Sequence, residues 1–190
     1  MDQSRATTPD ASEDAPDEIA FRELSKPSPT RPYELREVRK LAQELRAFLN
    51  RPSTLGDLHT SHVVGKSSAA VQSILLPEAE RLGFQSERRG LFASCASNGV
   101  RPDYFRVIGQ SGILIEVERG KTLDNNMDLL DLWKCHLCPI ADYLFLVVPK
   151  RRPTKKGASR VMFARVCHRL EAFFTVPNLV NVEAVFLFGY

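Results

Sequence analysis

Long apolar runs are missing from this sequence. The longest, Tyr143 to Pro149 and Ala184 to Phe188, fall far short of the roughly 20 residues a membrane helix needs. The chain opens with acidic and polar residues rather than an apolar leader, so no secretion signal is visible. The expectation is a soluble, intracellular (cytoplasmic) protein. Four cysteines, Cys95, Cys135, Cys138 and Cys167, are too few for a disulfide-stapled fold of this size. A phosphate-binding loop is absent as well. Gly65-Lys66-Ser67 has the ending of G-x-x-x-x-G-K-[ST], but Thr60 stands where its first glycine belongs and no strand precedes it.

What is present suits one globular unit, since 43% of the 190 residues are hydrophobic and that supplies a proper core. The net charge of +3 is unevenly spread: residues 1–30 hold seven acids and three bases, which leaves the remainder at about +7. A positive body suits a polyanionic ligand.

From Met1 to about Pro32 the chain is rich in Ser, Thr, Pro, Asp and Glu, a composition that reads as a disordered tail (1–32) ahead of a single domain (33–190). Leu35, Val38, Leu41, Leu45 and Leu49 recur at spacings of three and four, which predicts an amphipathic helix over 33–50. A loop from Ser53 to His62, carrying His59 and His62, follows. A second helix is expected over Ser67 to Leu82, with Glu78 on its apolar face and Pro77 as a kink. Three extended stretches come next, about Gln85–Ser94, Arg101–Ile108 and Gly112–Arg119. Thr122 can cap a helix whose apolar positions are Leu123, Met127, Leu130, Trp133 and Leu137. Ala141 to Pro149 reads as a central strand covered on both faces. A basic loop over Lys150 to Ser159, a helix from about Arg160 to Phe174 and a strand over Val182 to Tyr190 complete an α/β order of helix, three strands, helix, strand, helix, strand.

Within this order the acids are informative. Asp103 lies in the second stretch and Glu116 in the third, so pairing of the two strands brings their carboxylates together. Glu118, two residues on, shares a face with Glu116. Two carboxylates in the apolar strand Ile113-Leu114-Ile115-Glu116-Val117-Glu118 are costly unless something positive compensates them. A divalent cation held by such oxygen ligands could lower the pKa of an attacking water beside a phosphate.

Pro102-Asp103, a gap of a dozen residues and then Glu116-Val117-Glu118 resembles the PD-(D/E)XK nuclease superfamily, and the match covers about Ser67 to Pro149 (67–149). The resemblance implies a restriction-endonuclease-like core with a central mixed sheet flanked by helices, and a metal-dependent endonuclease acting on DNA. It further implies that Asp103 and Glu116 bind Mg2+ or Mn2+, that Val117 adds its backbone carbonyl, and that Glu78 joins them. Glu118 stands where the family usually has lysine, in a Glu-x-Glu form that some restriction enzymes share. Lys121, just past the strand, or Lys134, on the next helix, is the replacement, and Lys121 ranks first because a helix-surface lysine is usually just solvated. The cluster Lys150, Arg151, Arg152, Lys155 and Lys156 is the expected DNA contact. A homodimer would place two sites on opposite strands of a duplex.

Other readings use the same residues. Asp103 could cap a turn while Glu116 and Glu118 pair with Arg101, Arg106 or Arg119, leaving a non-catalytic module that binds nucleic acid or protein. Cys135-His136-Leu137-Cys138 with Cys167-His168 offers ligands for a zinc-stabilised interaction domain. Against zinc, these residues end one predicted helix and lie inside another, where cysteine is usually a small apolar core residue.

Overall fold

A computed structural model of the chain describes residues 18–63, 68–86, 101–120, 122–153, 159–177 and 180–190. Its centre is a mixed six-stranded sheet. The strands are β1 (Ala20–Ser25), β2 (Gln85–Ser86), β3 (Tyr104–Ile108), β4 (Ser111–Val117), β5 (Tyr143–Val148) and β8 (Ala184–Gly189), in spatial order β1-β8-β5-β4-β3-β2. A separate hairpin pairs β6 (Arg151–Pro153) with β7 (Ser159–Val161). The helices are α1 (Pro32–Leu49), α2 (Pro52–Ser61), α3 (Ser68–Arg81), α4 (Met127–Leu137) and α5 (Phe163–Glu171).

The direction of the strands determines where the helices go. β4, β5 and β8 run parallel and lie side by side in chain order. Their crossovers, α4 and α5, therefore fall on one face if both connections keep the usual right hand. Leu132 and Cys135 of α4 and Val166, Cys167 and Leu170 of α5 pack there against Leu114, Leu144, Leu146 and Leu187. The opposite face carries Ile113, Ile115, Phe145 and Phe186 and is covered by α1, α2 and α3. β5, between β4 and β8, is buried at all six positions, as its unbroken apolar run predicts.

The period in α1 is borne out residue by residue, for Leu35, Val38, Leu41, Leu45 and Leu49 are all buried. Four other expectations are corrected. The tail does not extend to Pro32: Ala20–Ser25 pair antiparallel with β8, and Ile19, Ala20 and Leu24 are buried. Residues 1–17 lie outside the described residues. The expected loop from Ser53 to His62 is mostly α2, begun by Pro52, whose fixed φ and missing N–H suit a first helical position. The ends of the expected basic loop pair as β6 and β7, so Arg160 is in a strand and the helix starts at Phe163.

The fourth correction concerns α4, where the expected apolar face points outward. Leu130 is 49%, Trp133 47% and Leu137 57% exposed, whereas Asp128 and Asp131 are 0% exposed and lie with Leu132 and Cys135 on the buried side. Asn126, in the left-handed region at φ 54, precedes the helix in place of Thr122, whose carbonyl accepts from Met127 N at 2.8 Å. That rotation carries acids and a lysine to the end of β4.

Candidate active site

β3 and β4 form an antiparallel pair in which Tyr104 faces Ile115 and Phe105 faces Leu114. Continued by one residue, this register sets Asp103 opposite Glu116, as the strand reading expects. Asp103 is gripped from two sides: its Oδ1 accepts from Gln72 Nε2 at 2.7 Å and its Oδ2 from Val117 N at 2.8 Å. Gln72 comes from α3, so the helix ahead of the sheet does reach the site, but through an amide.

Glu116 is 3% exposed and shares the α4 face with Leu114. Lys134 Nζ lies 3.0 Å from Glu116 Oε1 and 2.9 Å from Asp131 Oδ1. Lys134 is thus the cation that meets the motif acids, and it sits on the inward side of α4 rather than in solvent. Lys121, ranked ahead of it from the sequence, lies outside the described residues. Asp131 was not singled out, because an acid on an amphipathic helix is ordinarily taken for its wet face. The available signal was its spacing, Asp131 standing one turn before Lys134 as an i,i+3 pair.

Glu78 is buried and lies on α3, whose Val71, Leu75 and Ala79 belong to the other side of the sheet. Its Oε1 accepts from Arg81 at 3.0 and 2.7 Å, and Arg81 also reaches Glu44 at 2.8 Å. Its partner is an arginine of its own helix, and Asp131 takes the place of a further acid beside Glu116. Arg106 and Arg119, the alternative partners for the strand acids, donate instead to the backbone carbonyls of Leu82 and Val63.

Crowding of acids in a low-dielectric pocket governs the electrostatics. Burial, then Asp131, pushes the Glu116 carboxyl well above its usual range, with Lys134 opposing. Burial and Asp131 push Glu118 up to about 8, and burial pushes Asp131 up to about 6. Burial alone would lower Lys134, but Glu116 and Asp131 raise its ammonium above the ordinary range, so it stays charged. Burial and mutual repulsion thus raise the carboxyls of Glu116, Glu118 and Asp131, while the Lys134 ammonium between Glu116 and Asp131 keeps its charge. Asp128, also raised by burial, has Arg169 Nε at 3.4 Å. Among the described residues no group of three or more His, Cys, Asp or Glu side chains is placed to hold a metal ion.

Glu118 N donates to Val147 O at 2.8 Å and its carbonyl accepts from Tyr190 Oη at 3.1 Å, which anchors the chain just after β4. His62 stacks edge-on against Tyr190 at 5.4 Å and bonds Arg151 O at 2.6 Å, tying α2 to the β6–β7 hairpin. In that hairpin Arg151 is exposed, while Arg152 and Arg160 both pair with Asp124, Arg160 at 2.5 Å. Lys150 Nζ is turned to Glu18 O at 2.6 Å. Lys155 and Lys156 lie outside the described residues. Arg160 is a basic residue that the sequence reading assigned to a helix.

The zinc ligands are not assembled. Cys135, Cys138 and Cys167 are buried in the α4–α5 core, Cys135 Sγ faces Ala141 O at 3.8 Å, and His136 Nδ1 accepts from Asn181 N at 2.9 Å. No helix among the described residues is long and apolar enough to cross a membrane. A scan of protein-family models and a search of curated proteins return no match to this chain.

Proposed function

We propose that the chain is a metal-dependent nuclease that hydrolyses DNA phosphodiester bonds on a restriction-endonuclease-like fold. The observation that carries this reading is the meeting of Asp103, Glu116 and Lys134 where β3 begins and β4 ends, with Lys134 3.0 Å from Glu116. The donor chemistry fits a hard divalent cation: the carboxylates outnumber the one ammonium among them, and buried Asp131 has an Oδ2 with no hydrogen-bond partner among the described residues. Such a group is costly to bury without more positive charge.

In this reading Asp103 and Glu116, with the Val117 carbonyl, would hold magnesium or manganese. When bound, the ion would polarise a phosphate oxygen and acidify water. Gln72 and the Val117 amide fix the Asp103 carboxylate, so its orientation is set before any ligand arrives. Glu118, whose carboxyl keeps its proton up to about 8 in the metal-free protein, would act as a base toward water once a bound cation favours its ionised form. Lys134 supplies positive charge against the developing charge on phosphate. The β6–β7 hairpin, with Arg151, Arg152 and Arg160, offers contacts to the DNA backbone.

The test is nicking of supercoiled plasmid with magnesium, with manganese and with chelator. Metal-dependent nicking is expected. A wild-type protein that binds DNA yet stays inert on duplex and single-stranded substrates with both metals would favour the non-catalytic module.

A further inference from the structure

Asp131 belongs to no part of the sequence motif, yet it is fully buried beside the motif acids. Its Oδ1 forms an ion pair with Lys134 Nζ at 2.9 Å, and neither of its carboxylate oxygens has a hydrogen-bond partner among the described residues. The same ammonium lies 3.0 Å from Glu116 Oε1, on a different element. One cation is thus divided between two buried carboxylates. A pair serving stability alone would gain from satisfying both oxygens of the acid, since an unpartnered buried oxygen carries its full desolvation cost.

The division has a consequence for the proposed nuclease reading, on which this inference rests. The ammonium and a divalent cation would compete for Glu116. Without a second anchor, Lys134 would either block Glu116 or, once displaced, swing into solvent on its long flexible stem. We propose that Asp131 is a positioning residue for Lys134: it shares the ammonium with Glu116 and retains it at the site when Glu116 turns to a cation. Because the two residues are one helical turn apart on α4, Asp131 holds Lys134 from within a rigid element while Glu116 is free to change partner.

The experiment measures magnesium affinity by calorimetric titration and single-turnover plasmid cleavage for wild type, Asp131→Asn, Lys134→Met and the double variant. Asp131→Asn should slow cleavage about 10- to 100-fold, as loss of a supporting partner does. It should also weaken magnesium binding, because the whole ammonium then falls on Glu116. Lys134→Met should abolish cleavage but tighten magnesium binding, since Glu116 loses its competitor. In the Lys134→Met background, Asp131→Asn should have little further effect on magnesium affinity, the non-additivity of residues acting as one unit. Lys134→Arg, which keeps the charge, should not tighten magnesium binding. If Lys134→Met does not fold, Lys134→Gln replaces it. Costs of Asp131→Asn that are equal in the two backgrounds would make Asp131 an independent ligand and overturn the proposal while leaving the nuclease reading intact. A wild-type protein that binds no magnesium and cuts nothing would sink both.

Discussion

Glu118→Gln should stabilise the metal-free protein at alkaline pH and leave it unchanged in acid. In the folded state the Glu118 carboxyl keeps its proton up to about 8, whereas in the unfolded chain it ionises near 4.5. Between those values the folded protein binds more protons than the unfolded one, so stability falls as pH rises. Below the lower value both states are protonated, and above the upper one the loss is complete. At about 1.4 kcal/mol per pH unit the gap sets a ceiling of about 5 kcal/mol. Solvent reaching this partly buried side chain reduces that to about 2–3 kcal/mol. Asp131 adds a smaller loss of the same sign between its ordinary 3.8 and about 6. The assay is urea unfolding of both proteins in chelator from about pH 4 to pH 9. The curves should nearly coincide at about pH 4 and separate by pH 8, the glutamine variant being the more stable. Wild type that does not lose stability over this range, or a variant with the same slope, would refute the electrostatic account of the cluster.

Three further outcomes are expected. Deleting residues 1–30 removes β1 with buried Ile19, Ala20 and Leu24 and should cost several kcal/mol, or about 10 °C in Tm; a deletion ending at Asp17 is the control, and equal melting of the two would count against β1. Charge reversal at Arg151, Arg152 and Arg160 should weaken DNA binding and flatten its salt dependence, whereas an unchanged salt slope would show that the hairpin does not touch phosphate. Purified protein should lack stoichiometric zinc, and Cys135, whose thiol burial pushes far up, should alkylate slowly until the chain unfolds; bound zinc in elemental analysis would contradict this.

What the sequence made legible depended on whether a side chain's partner was water or protein. In α1, apolar residues face the core and charged ones face solvent, so spacing alone identifies the buried positions. In β5 the absence of any polar position signals two covered faces. α4 breaks the rule because its buried side must deliver Asp131 and Lys134 to the end of β4, and a pattern that assigns every acid to water turns the helix inside out. The same assumption demoted Lys134. β1 went unread because a six-residue edge strand with Arg22 and Glu23 in it is diluted by its polar surroundings. Asp103 and Glu116 were legible because an antiparallel pair follows from two short strands and a turn. For Glu78, lying on an apolar helix face does not say which residue of that helix turns to the site: Gln72 reaches Asp103, whereas Glu78 pairs with Arg81.

The measurement that tests the central claim most directly is magnesium-dependent plasmid cleavage by wild type, Asp103→Asn and Glu116→Gln, read alongside thermal melts in chelator. Each substitution keeps the side chain's shape while removing charge that would hold the ion. Cleavage by wild type should stop with chelator and vanish in both variants. Glu116→Gln should melt level with wild type or higher, because one of several crowded carboxylates has been neutralised, whereas Asp103→Asn turns an NH2 toward one of the two donors that grip Asp103 and should melt lower. Cleavage that persists in Asp103→Asn, or a wild type inert with magnesium and manganese while Glu116→Gln melts early, would contradict the account.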